Sequence, residues 1–370
     1  MVIQLSRELI ESINNNHPNQ DEIDALEYIA LCRKEGSQVI TGNRQVIKHI
    51  ISTSGLTNRA KSIYKRIYED VTKNRHINKY VSHVINVIRP YGESEKRRGE
   101  TTYIDVPLNR FRNPSLIQNT VLLVENVDDA KVYNKIAKYY AYSENVSTNI
   151  EYSVIQGGGG NIHDQLEQFQ RRNDRIVMCL VDSDKKHPSD ELGQTAQNAL
   201  STYDEECSLC HLVILKEHEL ENLIPVYFLR RSTNSNTQER SAVENIDSLS
   251  KVEDLSKIRK FIDIKNGTKL GEIVDGFRDV DNVELRYLSQ AFSSIHYDCV
   301  HPPNCQSPEQ CRCTINHPVG ANNTANAIQS VSQSPLGHID EHINQSLSIA
   351  WKSLGRTIYS WLCSSMPVRS

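Results

Sequence analysis

The chain has 370 residues, 38% of them hydrophobic and 24% charged, with a formal net charge of −4 and a mean hydropathy of −0.52. That length accommodates two or three modest domains. The slight acidic balance argues against a protein coated in nucleic acid, though it leaves room for a local basic groove, and the absence of any long apolar run argues against a membrane span.

The opening "MVIQLSRELIESI" is amphipathic and carries glutamates, unlike a signal peptide, so a cytoplasmic setting is expected. Nine cysteines in that setting read as thiols or metal ligands rather than disulfides. Residues 1–92 read as a helical N-terminal region. "DEIDALEYIALC" puts Ile23, Leu26, Ile29 and Ala30 on one face, with Asp21 available as a cap. "AKSIYKRIYEDV" repeats the pattern, and "INKYVSHVINVI" repeats it again until Pro90. Such helices suit packing in a bundle, docking on a partner or contact with nucleic acid. Residues 93–118 read as a linker, and "KRR" at 96–98 as a solvated charge run or a phosphate patch.

The texture changes near residue 119. Strands are expected at "TVLLVE", "IEYSVIQ", "RIVMCLV" and "CHLVIL", each of the first three followed by a helix. This alternation predicts an α/β fold with a central parallel sheet and flanking helices over 119–229. Residues 230–255 read as a polar loop, and 256–370 as a mainly helical C-terminal region broken by a Cys/His cluster at 296–317.

Carboxylates gather where the strands end, the edge at which open parallel sheets bind ligands. Glu125 closes the first strand, with Asp128 and Asp129 behind it. Asp182 and Asp184 close the third, and Glu217, Glu219 and Glu221 follow the fourth. If the third strand continues that far, the i, i+2 spacing turns Asp182 and Asp184 to one face. Carboxylates so crowded repel unless cations lie between them, and hard oxygen donors suit Mg²⁺ or Mn²⁺. Helix capping is the plainer role for an aspartate such as Asp128. "QGGGG" (156–160) lacks the Gly-Lys-Ser/Thr of a P-loop. Its glycines are expected to make a tight turn, which leaves backbone room and brings a helix N-terminus to the same edge.

In order, "LLVENVDD", "IQGGGG", "LVDSD" and "LKEHELENLIP" resemble a TOPRIM domain of the kind found in overcoming-lysogenization-defect (OLD) nucleases and phage-defence effectors. The resemblance covers about residues 119–228, and Asn126 stands where the family usually has glycine. It implies a metal site of Glu125, Asp129, Asp182, Asp184 and Glu221, with Glu217 and Glu219 as rivals for the last position. "FIDIKNGTKL" resembles a downstream segment whose lysine reaches the active site, here Lys265, for which an exposed turn lysine is the plainer reading. The implied activity is two-metal hydrolysis of DNA or RNA, as a toxic effector of bacterial anti-phage defence, with an ABC-type ATPase as partner; the sequence leaves a homodimer open. A non-catalytic TOPRIM-fold scaffold or nucleic-acid-binding subunit is the alternative, because one fold serves many reactions.

"HYDCVHPPNCQSPEQCRCTINH" supplies Cys299, Cys305, Cys311 and Cys313 with His296, His301 and His317. Four thiolates suffice for a structural Zn²⁺, with His301 or His317 as substitutes, although the spacing is not that of a standard finger. "CSLCH" (207–211) offers half a zinc site but runs straight into a strand, so buried thiols are expected there.

Overall fold

A computed structural model describes residues 1–10, 18–74, 76–89, 94–188, 190–235, 237–251, 258–269 and 314–368. The protein is α/β, built around two principal sheets. The first comprises β1 (Val2–Leu5), β2 (Val39–Gly42), β3 (His83–Ile88), β4 (Ser94–Arg98) and β5 (Thr101–Pro107), in the order β2-β1-β3-β5-β4. It is mixed: β1 pairs in parallel with β2 and β3, β3 in parallel with β5, and only β4 runs antiparallel to its neighbour.

This sheet corrects the helical reading of 1–92 and the linker reading of 93–118. Helices do form within this region, as α1 (Gln20–Glu35), α2 (Arg44–Ser52) and α3 (Asn58–Asn74). "INKYVSHVINVI" instead becomes a short 3-10 turn followed by β3. Val84, Ile85, Val87 and Ile88 are all buried, so their apolar run fills an interior strand rather than one helical stripe. The charged "SEKRR" forms edge strand β4, where Lys96 meets Asp105 at 2.6 Å and charge discourages pairing with another chain. The α1 cap is Asn19, whose Oδ1 accepts from the Glu22 N–H at 2.8 Å while the Glu22 carboxylate accepts from the Asn19 N–H at 3.1 Å. Asp21, the expected cap, pairs with Arg112 at 2.8 Å instead.

The second sheet has four strands in the order β10-β9-β6-β8: β6 (Thr120–Val124), β8 (Tyr152–Gln156), β9 (Val177–Val181) and β10 (Cys210–Ile214), with β6 and β8 parallel. Between them in the chain come α4 (Val127–Ser143), β7 (Asn149–Ile150), α5 (Ile162–Arg172) and α6 (Gln194–Thr202). Every residue of β6 and of β9 is buried, which is why both read as continuous apolar runs.

After β10 come α7 (Val226–Ser232) and α8 (Gln238–Lys251). The second replaces the polar loop expected at 230–255. Ala242, Val243, Ile246 and Leu249 form a buried stripe at helical spacing, too sparse to stand out among polar neighbours. The C-terminal part adds β11 (Thr268–Lys269), β12 (Thr314–Asn316), α9 (Ala321–Gln333), α10 (Leu336–His342), α11 (Gln345–Leu362) and β13 (Cys363–Ser364). No described helix is long and apolar enough to cross a membrane.

The chain divides into two compact units. One contains Met1–Cys179, Thr202–Leu212 and Trp351–Ser370, and the other Leu180–Ser201 and Val213–Ala350. In the first, a half-buried ring cluster stacks His211 on buried Trp361 at 5.1 Å between centroids, with His83 at 4.7 Å from His211.

Candidate functional site

Within the first unit, Glu125 follows β6 and is half-buried. Burial, with the Glu125 charge adding to it, pushes the Cys179 thiol on β9 far above its usual range. Asn126 caps α4: its Oδ1 accepts from the Asp128 N–H at 3.1 Å, and the Asp129 carboxylate accepts from the Asn126 N–H at 3.2 Å. Asp129 therefore has a local capping role. Asp128 pairs with Lys131 at 2.6 Å on the surface. Beyond β8, the Gly157 N–H donates to the Val124 carbonyl at 2.7 Å, and an added Cβ there would lie 2.5 Å from Ile162, so the glycine run does permit a close backbone approach.

The second unit holds the densest chemistry. β9 ends at Val181, and Asp184 adopts a left-handed backbone, φ +53°. The strand pleat expected to align Asp182 with Asp184 thus does not extend to them. Side-chain and main-chain bonds hold this loop instead. The Ser183 hydroxyl donates to the Glu217 carbonyl at 2.7 Å, and the Asp184 N–H donates to the His218 carbonyl at 2.9 Å. Gly193, whose N–H bonds the Ser183 carbonyl at 2.8 Å, presses against the Asp184 side chain. A Cβ on Gly193 would lie 2.5 Å from the Asp184 Cβ and closer still to its carboxylate.

Asn222 explains the Glu-Asn pairing in "ELEN". Its Oδ1 accepts from the Glu219 N–H at 3.0 Å, while its Nδ2 donates to the Arg259 and Ile262 carbonyls, both at 2.8 Å. The His218 N–H adds a 2.7 Å bond to the Lys260 carbonyl. A fully bonded buried amide is rigid, so the 217–222 turn fixes the segment that carries Asp263 and Lys265.

Lys265 reaches the acids. Its Nζ lies 3.0 Å from Glu221 Oε1 and 3.6 Å from Glu219 Oε2. Burial alone would lower its pKa, but Glu221 and Glu219, and more weakly Asp182, carry it above the ordinary lysine range. Glu219 moves the other way for a carboxyl: burial first, then the Glu221 charge, raise it to about 7 against the pull of Lys265. Its Oε2 is buried without a hydrogen-bond partner. Glu217 is buried, and its carbonyl rather than its carboxylate joins the Ser183 loop.

Two residues absent from the sequence expectations complete the cluster. One ligand atom each from His218, Glu219 and Asp263 lies within 4.8 Å of the others. His338, Glu341 and His342 form a second such group on α10, where the Tyr227 ring stacks on His342 at 3.7 Å. In the first unit, Cys207 and Cys210 are buried free thiols. The zinc expectation for Cys299, Cys305, Cys311 and Cys313 lies outside the described residues.

No protein-family model, curated protein or solved structure matches the chain. The chemistry of the site therefore rests on its own residues. Carboxylates on adjacent loops, a buried carboxylate oxygen without a hydrogen bond and one ammonium are a donor set fitted to a hard divalent cation and an anionic ligand beside it.

Proposed function

We propose that the protein is a metal-dependent nuclease of TOPRIM type that hydrolyses phosphodiester bonds in DNA or RNA. The observation that carries the proposal is the cluster of the second unit, where the Asp184 N–H and the Ser183 hydroxyl tie the Asp182–Asp184 loop to the His218 and Glu217 carbonyls just before Glu219 and Glu221, and Lys265 contacts both glutamates.

Bound Mg²⁺ or Mn²⁺ would supply an activated water and stabilisation of the leaving oxygen. Of the acids that the family resemblance assigns to the metal, Asp182, Asp184 and Glu221 share the second unit and would hold it there. Lys265 contributes positive charge to a bound phosphate, and its contact with Glu221 keeps the ammonium aimed at the site before substrate arrives. Asn222 and Ser183 act at one remove, by fixing the loops on which the acids stand. We further propose a role as a toxic effector of anti-phage defence, cytoplasmic and restrained by an ABC-type ATPase, with Zn²⁺ held by Cys299, Cys305, Cys311 and Cys313.

A non-catalytic scaffold is the second reading. It is favoured by the local partners of two of the acids: Asp129 caps its own helix, and Glu221 is neutralised by Lys265. Incubation of the purified protein with plasmid, single-stranded DNA and tRNA separates the two. The nuclease reading expects cleavage with Mg²⁺ or Mn²⁺, and none in excess EDTA. The scaffold reading expects retention of nucleic acid without cleavage under every condition.

A further inference from the structure

The imidazole of His218 has only 4% of its residue surface exposed. Its Nδ1 lies 3.0 Å from the Lys185 carbonyl oxygen. A carbonyl can only accept, so Nδ1 carries the ring proton, and in the neutral ring Nε2 presents a lone pair. That lone pair faces the carboxylates of Glu219 and Asp263 and makes no hydrogen bond: Asp263 Oδ2 is 4.0 Å away, too far for one. Glu219 Oε2 is also buried without a hydrogen bond, since the Lys265 ammonium sits 3.6 Å away and is held at 3.0 Å by Glu221.

Three electron-rich atoms thus converge within 4.8 Å in a largely buried place, with the Lys265 ammonium to one side at 3.6 Å from Glu219. Such a group is repulsive unless a cation is shared. The spacing suits three ligands around one ion at roughly 2.0–2.2 Å from each, after small adjustments. The anchoring of Nδ1 on a main-chain carbonyl is the usual support for a metal-ligating imidazole. Asp263 is held in turn by Asn266, whose N–H and Nδ2 donate to its two carboxylate oxygens at 2.7 and 3.0 Å, which leaves a lone pair on each.

We propose that His218 Nε2, Glu219 and Asp263 form a binding site for a divalent transition-metal ion in preference to Mg²⁺. Imidazole nitrogen is a softer donor than any in an all-oxygen site. It favours Mn²⁺, and later members of the first row more strongly, over Mg²⁺, which holds its waters and prefers oxygen. Participation of this ion in cleavage rests on the nuclease reading, whereas binding of the ion does not.

The probe is Mn²⁺ alone, added to the full chain after chelator treatment and followed by calorimetry and pulsed EPR. The wild type should bind Mn²⁺ at least tenfold more tightly than Mg²⁺ and show ¹⁴N coupling from a directly bound imidazole. His218→Gln should remove the coupling and weaken Mn²⁺ by roughly tenfold or more, with Mg²⁺ affinity little changed. Because His218 is buried, Asp263→Asn, at a more exposed position, serves as a second variant and should weaken Mn²⁺ as well. Absence of ¹⁴N coupling in the wild type, or coupling that survives in folded His218→Gln, would overturn the assignment. Cleavage with Mg²⁺ in a wild type lacking the coupling would sink this site alone. Coupling without cleavage of any substrate would sink the nuclease reading alone.

Discussion

Replacing Lys265 with methionine removes an ammonium and keeps most of the apolar stem. The wild-type Nζ is 3.0 Å from Glu221 and 3.6 Å from Glu219. Glu221 is 6% exposed, so the substitution strands a nearly buried carboxylate beside a second one. Removing one member of a fully buried pair costs about 3–5 kcal/mol. The Lys265 side chain is itself 34% exposed, so water screens part of the interaction. About 2 kcal/mol is the resulting expectation. The assay is urea denaturation in EDTA at pH 8, with an unchanged m-value as the check that only stability moved. Saturating Mn²⁺ should restore part of the loss, because a bound cation replaces the missing charge and stabilises only the folded state. A variant within about 0.5 kcal/mol of wild type in EDTA would refute the argument, since that is the range of ordinary surface changes.

Gly193→Ala should lower stability by about 1–3 kcal/mol, as an added Cβ must displace the Asp184 side chain; the same variant should lose metal affinity, and unchanged Mg²⁺ and Mn²⁺ titrations would count against the role of that contact. Acid should weaken the fold through the half-buried imidazoles of the first unit. Burial, with His211 nearby, holds His83 down to about 3, and burial holds His211 to about 4. Unfolded histidines titrate near 6.5, so this contribution is complete above that pH and is lost as pH falls through the window from 6.5 towards 4 and 3. About 3 kcal/mol should vanish between pH 7 and pH 5, and a stability profile identical to that of the His83→Leu/His211→Leu double variant would contradict it. Elemental analysis of protein purified without chelator should find about one zinc per chain, reduced in Cys305→Ser/Cys311→Ser; zinc-free wild type would leave these as ordinary thiols.

The strands of the second sheet were legible because β6 and β9 are buried throughout and flanked by turn or helix signals. The first sheet was not. β1 has only four residues, β3 carries an apolar run that also fits a helix, and β4 is a charged edge strand without alternation. Pairing partners far apart in the chain settle such segments, and no local pattern records them. Lys265 was singled out from its segment, and its Nζ lies 3.0 Å from Glu221 and 3.6 Å from Glu219. His218 and Asp263 were missed because the Asn222 clamp that joins their segments is a tertiary feature. The Asp-x-x-Asn-Gly turn that Asp263 opens was a visible signal for an aspartate with a fixed carboxylate, but it says nothing about which histidine that carboxylate will face.

The most direct test is a single-turnover cleavage comparison between wild type and Asp182→Asn, on whichever of plasmid, single-stranded DNA or tRNA the wild type cuts, with Mn²⁺ present. Asparagine keeps the shape and removes the charge. The account predicts a folded variant, with a melting temperature at or above that of wild type in EDTA because carboxylate repulsion is relieved, and a cleavage rate reduced at least a hundredfold, on the order expected for loss of a group that stabilises the transition state. Full-rate cleavage by folded Asp182→Asn, or wild-type cleavage that persists after all metal has been removed, would contradict it.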